Sequence, residues 1–235
     1  MNKEKIKTQI SSLPRCIGII MDGNRRWARN KGLPAVEGHR HGYETLRTCL
    51  EWVQGAGITH VIVYAFSTEN WKRSEEEVSY LMRFMRSVLK ERFAELQQRG
   101  MRIVFIGEKD KFPEDIRNYM GTIEKESGNN TAGTLGIALS YGGRAEIVSA
   151  VKNMTPVDIN ALDEKTFSSY LWTRNFPDAD MIIRTGGTKR LSNFLLWQAA
   201  YAELYFTDVL WPDFNKEEFE KALLFFAEAK RNFGT

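Results

Sequence analysis

Residues 17–28 read Ile17-Gly18-Ile19-Ile20-Met21-Asp22-Gly23-Asn24-Arg25-Arg26-Trp27-Ala28, an apolar run of strand length that ends in an acid, a glycine and an asparagine and then meets two arginines. A strand without polar alternation is covered on both faces, the condition of a strand inside a parallel sheet. Similar runs recur at His60–Ala65, Arg102–Ile106, Thr134–Ser140 and Met181–Arg184, with a shorter one at Glu203–Phe206. Helical patterns lie between them at Gly38–Gln54, Ser74–Arg99, Pro113–Lys125, Arg144–Lys152 and Lys216–Lys230. This alternation predicts an α/β fold, a mostly parallel central sheet of about six strands flanked by helices.

The helix after the second strand is the best specified. Ser74 and Glu77 form a capping box, Gly100 supplies a stop, and Val78, Leu81, Met82, Met85, Val88, Leu89, Phe93 and Leu96 recur at helical spacing. Asn215 and Glu218 are placed likewise at the last helix. Asn153–Pro177 is polar and irregular, a surface excursion too short for a second domain. The expectation is one domain over 1–235, with the polar, Lys-rich stretch 1–12 as a flexible arm.

The 235 residues carry 33 Lys plus Arg against 30 Asp plus Glu, a net charge of +3, so any strongly positive region must be local. A nucleic-acid binder is disfavoured on this ground, despite Arg25, Arg26, Arg29 and Lys31 around Trp27. Hydrophobic residues make up 43%, which excludes disorder as the main state. Cys16 and Cys49 have no CxxC spacing and read as buried thiols in a reducing compartment, the cytoplasm. No apolar run reaches the roughly 18 residues of a membrane span.

Three strand ends carry polar clusters, and ligands of parallel α/β sheets gather at the carboxyl ends of strands. The first is Asp22 to Trp27, where Asp-Gly-Asn alone is ordinary turn chemistry, but backbone N–H groups beside guanidinium forks suit a diphosphate and Asp22 could hold Mg²⁺. The second is Tyr64-Ala65-Phe66-Ser67-Thr68-Glu69-Asn70-Trp71-Lys72-Arg73, denser in polar groups than a loop entering a capped helix needs. The third runs from Arg184 through Gly186, Gly187, Arg190 and Ser192 to Asn193 and Phe194, with Ser192 near a possible helix start; it lacks the spacing of a nucleotide P-loop. Three such clusters argue for a substrate with more than one phosphate. His39, His41 and His60 form no convincing metal site, and Glu203, opposite Ala202, Leu204 and Phe206 in alternation, suits solvent or a metal equally.

In this order the clusters resemble the cis-prenyltransferase family, whose bacterial type member is undecaprenyl diphosphate synthase. The resemblance runs from Leu13 to Gly234 and rests on MDGNRRWA, GHRHG, YAFSTENWKR, SYGGR and IRTGG, with RLSNFLLWQ, YAELYF and LWPDF. It implies Mg²⁺-dependent, repeated condensation of isopentenyl diphosphate onto an allylic diphosphate such as farnesyl diphosphate. Undecaprenyl diphosphate, the cell-wall carrier lipid precursor, is the expected product. A shorter cis-prenyl product, or a non-catalytic partner subunit of the same fold, is the alternative. It also implies a homodimer, with at most peripheral contact to the inner face of the membrane through the product.

By resemblance Asp22 is the metal-linked catalytic carboxylate, and Gly23, Asn24, Arg25, Arg26, Trp27 and His39 surround the allylic diphosphate. Ser67, Thr68, Glu69, Trp71 and Arg73 match a second substrate-contacting loop. Arg184, Arg190, Leu191 and Ser192 match the isopentenyl diphosphate site, and Glu203 a second metal-linked carboxylate. Asn70 matches a residue assigned as proton acceptor, but a neutral amide is a poor base and reads better as an orienting group. Met82, Met85, Leu89 and Phe93, with Ala65 and Ile62, could wall a hydrophobic tunnel beside the sheet, though core packing explains them as well. The chain departs from the family pattern at Arg25, Ala35, Thr188-Lys189 and Asn232-Phe233-Gly234.

Overall fold

The computed structural model describes residues 13–91 and 99–229. The expected arm at 1–12, Phe93, Leu96 and the Asn232 departure lie outside these residues. Six strands form one sheet: β1 (Cys16–Ile20), β2 (His60–Ser67), β3 (Arg102–Ile106), β4 (Thr134–Tyr141), β5 (Met181–Arg184) and β6 (Glu203–Phe206). Their order is β3-β4-β2-β1-β5-β6 and every neighbouring pair is parallel. From β1 the chain adds β2 beside it, passes to the edge strand β3, returns to insert β4 between β2 and β3, and then crosses to place β5 and β6 on the other side of β1. That reversal beside β1 is the switch point at which sheets of this kind open a crevice.

The helices are α1 (Asn24–Asn30), α2 (Ala35–Ala56), α3 (Glu75–Glu91), α4 (Glu114–Glu126), α5 (Gly143–Lys152), α6 (Pro156–Asn160), α7 (Glu164–Tyr170) and α8 (Lys216–Glu228). Three of them leave no clear pattern in the sequence. The Asp22-to-Trp27 cluster is a loop only as far as Gly23 and then turns into α1, and the polar excursion contains α6 and α7. The latter two are short, and Thr155 and Asp163 cap them by accepting from Asp158 and Thr166 N–H.

Alternation within the buried strands splits the core by sheet face. Ile17, Ile19, Val61 and Val63 join Leu50, Val53, Leu81, Leu89, Phe219 and Phe226 on the face covered by α2, α3, α4 and α8. Cys16, Ile20, Ile62 and Ile182 face the other way, against Tyr141, Phe194 and Leu195. That second face is partly covered by the irregular segment after β5 rather than by a helix. Ser192 therefore stands in a run of turns, not at a helix start. Both cysteines are buried and free, with burial pushing their thiols up to about 12.

Candidate active site

The segments that leave the carboxyl ends of β1, β2 and β5 enclose one cleft of about 460 Å³. Asp22, Gly23, Asn24, Arg25 and Arg26 come from the β1 side, Ser67, Asn70 and Arg73 from the β2 side, and Arg184, Arg190 and Ser192 from the β5 side. His39 of α2 closes it, with Ile20, Met21, Tyr64, Ala65, Phe66 and Leu81 as walls. Five guanidinium groups and one carboxylate line the space, so the positive charge that the whole chain lacks is concentrated here.

Asp22 is held from both its main chain and its side chain. Its carbonyl accepts from Thr185 Oγ1 at 2.7 Å and Trp211 N–H at 3.0 Å. Its carboxylate receives Arg184 Nη2 at 2.9 Å and lies 3.3 Å from Arg26 Nη2, while 31% of the side chain stays exposed. Arg184 is 4% exposed, and its Nη1 donates to Ser192 Oγ at 2.7 Å and to the Arg190 carbonyl. A buried guanidinium needs such partners. Its Nε has none among the described residues, leaving one donor unused.

Glu77 of α3 joins the other two sides. Arg73 Nη1 approaches its Oε1 at 2.7 Å and Arg25 Nη1 at 3.2 Å, so the cap residue read from the sequence also bridges two cleft arginines. His39 lies between these charges and the rings of Tyr80 and Phe84. Burial, then the Arg73 charge, hold its imidazole down at about 4, so it is neutral near pH 7. The GHRHG motif works through its glycines: a Cβ on Gly38 would stand 2.0 Å from the Asn24 carbonyl oxygen and one on Gly42 2.3 Å from Asn24 Oδ1. Only glycine lets α2 seat against the start of α1 and fix Asn24 in the cleft. Asn70 Oδ1 accepts from Ser67 N–H at 3.0 Å, which fixes the orientation of the amide and leaves its NH₂ group as a donor for a ligand.

Six of the residues matched by resemblance stand outside the lining. Trp27 is buried and donates to Asp213 Oδ1 at 2.7 Å, so it anchors α1. Trp71 donates to Ser140 Oγ at 2.9 Å and packs on Phe66 and Phe112. Leu191 packs on the second core cluster, and Thr68 lies by Gly142. Glu69 accepts from Asn193 Nδ2 at 3.0 Å; burial raises its carboxyl, but its own N–H and the Asn193, Ser67 and Thr68 side chains outweigh this and lower it. Glu203 pairs with Met181 at the amino end of β5, whereas Asp22 follows Ile20, which pairs with Arg184 at the carboxyl end. The two carboxylates are thus separated along the strands by about 10 Å or more and share no ion within one chain. Glu77 carries no functional signal in the sequence, where it reads as a capping residue; Tyr64 and Asn193 stand inside the second and third clusters, but nothing there gives either a role of its own.

Below the cleft lies an apolar cavity of about 160 Å³ between α2, α3 and the sheet. Ala65, Phe66, Leu81 and His39 line both spaces, and Leu46, Val63, Met85, Leu89, Phe105, Leu135 and Ile137 extend the cavity inward. Of the residues that could wall a tunnel, Ala65, Met85 and Leu89 line this cavity. Met82 does not line it, and Ile62 faces the opposite side of the sheet, as alternation requires.

Asp22 fits a Mg²⁺ of the kind completed by substrate, since that ion is commonly bound by one or two carboxylates plus phosphate oxygens and water. Among the described residues no group of three or more His, Cys, Asp or Glu gathers as a protein-only metal site, and none of their helices is long and apolar enough to cross a membrane.

The family model described as "Putative undecaprenyl diphosphate synthase" matches residues 20–234. The isoprenyl transferase of Aquifex aeolicus is 46% identical over 94% of this chain and 96% of its own length, and that of Fusobacterium nucleatum 45% over 95% and 96%. Lavandulyl diphosphate synthase from Lavandula x intermedia, solved with dimethylallyl diphosphate, superposes with a TM-score of 0.89 at 33% identity, covering 95% of this chain and 99% of that one. A "probable undecaprenyl diphosphate synthase" from Campylobacter jejuni gives 0.79 at 30%, covering 96% and 100%.

Proposed function

Because the chain belongs to the cis-prenyltransferase family, that of undecaprenyl diphosphate synthase, and is an isoprenyl transferase, we propose that it condenses isopentenyl diphosphate repeatedly onto an allylic diphosphate such as farnesyl diphosphate, giving undecaprenyl diphosphate. The observation that carries this reading is a cleft lined by five arginines and one aspartate whose floor, at Ala65, Phe66 and Leu81, is also the mouth of an apolar cavity. Diphosphates meet the arginines and the growing chain enters the cavity.

In the reaction the allylic carbon–oxygen bond breaks, the diphosphate leaves with the electron pair, the isopentenyl double bond attacks the allylic carbon, and one proton is lost. Asp22 would hold a Mg²⁺ with oxygens of the allylic diphosphate, and that ion would neutralise charge on the departing group. Arg25, Arg26 and Arg73 stabilise the same charge from fixed positions, needing little reorganisation as it develops. Arg184, Arg190 and Ser192 hold the isopentenyl diphosphate, with Arg184 kept in place by Asp22. Asn70 orients a phosphate oxygen through its NH₂ group; the proton passes to an oxygen of the departing diphosphate, because a neutral amide is too weak a base to take it. Phe66 and Leu81 keep water from the cationic carbon. Pairing of two copies, a cytoplasmic setting and peripheral membrane contact through the product belong to the same proposal.

Incubation with farnesyl diphosphate, labelled isopentenyl diphosphate and Mg²⁺, with EDTA in parallel, tests it. The expected result is a Mg²⁺-dependent ladder ending at the undecaprenyl length. A single addition would replace the reading with a short-chain synthase, and no incorporation with any allylic primer would replace it with a non-catalytic partner subunit.

A further inference from the structure

The SYGGR stretch from Ser140 to Arg144 does not line the cleft, and neither does Asn193, yet the two are joined. The Asn193 carbonyl accepts from Gly143 N–H at 2.7 Å, its Oδ1 accepts from Arg144 N–H at 2.9 Å, and its Nδ2 donates to Glu69 Oε1 at 3.0 Å. One residue thus ties the segment after β5 to the start of α5 and to the turn after β2. The seat is cut to fit: a Cβ on Gly142 would stand 2.5 Å from Asn193 Nδ2, and one on Gly143 2.7 Å from Leu196 Cγ.

What the seat holds is a backbone that would not hold itself. Ser192, Asn193 and Leu195 have φ of 50°, 67° and 46°, a region that non-glycine residues leave unless their surroundings fix them. Tyr64 adds a tether, its hydroxyl donating to the Tyr141 carbonyl at 3.1 Å and the Ser192 carbonyl at 3.4 Å. The residue immediately before Asn193 is the one that matters to the cleft: Ser192 Oγ accepts from Arg184 Nη1 at 2.7 Å and from Arg190 Nε at 3.2 Å. Any movement of the Asn193 anchor is passed directly to this triad.

We propose that Asn193 is the positioning residue of the isopentenyl diphosphate site: without touching substrate, it clamps Glu69 to the start of α5 and so holds Arg190 and Ser192 in binding geometry. This rests on the assignment of Arg184, Arg190 and Ser192 made above. If the clamp fails, a smaller share of molecules is competent to bind, and the apparent dissociation constant rises by the inverse of that share.

The test reverses the polarity of one bond. Asn193→Asp keeps the size, the tolerance of positive φ and the acceptor for Arg144 N–H, but sets a carboxylate against Glu69. Adding Glu69→Gln restores a hydrogen bond across the same gap with the donor on the other side. Asn193→Asp is expected to raise KM for isopentenyl diphosphate about tenfold, with kcat and the allylic KM within about threefold of the native protein. The double variant is expected to recover that KM to within about threefold. Asn193→Gly, which relieves the backbone and deletes both side-chain bonds, is expected to match Asn193→Asp and guards against a fold defect peculiar to the added charge. An unchanged KM in either single variant, or a double variant no better than Asn193→Asp, overturns the proposal. Should the native protein not condense the substrates, the functional reading fails instead. Thermal stabilisation by inorganic diphosphate then decides separately, the expected result being a smaller shift in Asn193→Asp that recovers in the double variant, and equal shifts in all three overturning it.

Discussion

The cleft and the cavity below it adjoin on the same strands, with Met21, Asn24, His39, Ala65, Phe66 and Leu81 facing both, yet they are made differently. The cleft takes its charged groups from segments that follow strand ends: Asp22 after β1, Arg73 after β2, Arg184 and Arg190 at and after the end of β5. The cavity takes its walls from the framework itself, Val63 and Ile137 from strands and Met85 and Leu89 from α3. Charged groups on loops can be aimed without disturbing the core, whereas the apolar walls are core residues that leave a space unfilled. Chemistry and product length should therefore respond to different substitutions.

The largest effect is expected at Asp22. Asp22→Ala removes the one carboxylate of the cleft and releases Arg26 and Arg184 from their partner. Freed guanidinium groups still attract diphosphates, so kcat is expected to fall by about 10² to 10³ while KM changes much less. Steady-state kinetics separates the two. A variant that keeps kcat within about threefold would mean that the reaction centre lies elsewhere.

A smaller and different change is expected at the neck. Ala65 lies on β2 with its side chain open to both spaces, and Ala65→Leu adds bulk there without filling the core. The first condensation is expected to stay within about threefold of native, while the product ladder shortens by at least one isoprene unit. Sizing the products checks this. An unaltered ladder would show that the growing chain does not pass Ala65, and a slowed first step would show that neck and cleft are not separable.

The same contrast decides what is legible in the sequence. Asp22, Arg73 and Arg184 are legible because a charged residue at the end of an apolar strand run is seldom there for packing, and the strands themselves are legible because buried parallel strands lack alternation. The cavity is only half legible: Met85 and Leu89 recur at helical spacing like any core residue, and nothing in the pattern marks Met82 as packed and Met85 as lining. Helix α1 is hidden because Asp-Gly-Asn reads as a turn, and its first residue is held by contacts at Gly38 and Gly42 that depend on tertiary packing. Trp27 and Trp71 are assigned to the substrate only through the family resemblance. Their indoles are committed to Asp213 and Ser140, partners 186 and 69 residues away in the chain. Glu203 is placed by motif, and only strand register reveals that it belongs to the far end of the sheet.

The smallest effect tests the boundary between the two spaces. His39 lines both, and burial, reinforced by Arg73 and Arg25 against the opposing pull of Glu77, lowers its folded pKa from 6.5 to about 4. The unfolded chain therefore binds a proton near pH 6.5 that the native protein refuses until about pH 4. Stability from this group is complete above pH 6.5 and is lost as pH falls through that window toward 4. Allowing for the ring's partial exposure, the loss is about 2 kcal/mol. Other carboxylates titrate over the same range, so the readout is the difference between native and His39→Asn unfolding free energies between pH 7 and pH 4, with the variant expected to show the flatter profile. Inorganic diphosphate in the cleft brings negative charge to the ring's polar side, favours the protonated imidazole and should narrow that difference. If the two profiles fall in parallel, His39 is hydrated as a cleft residue rather than held neutral against Tyr80 and Phe84. The line between polar and apolar space would then lie deeper, below His39.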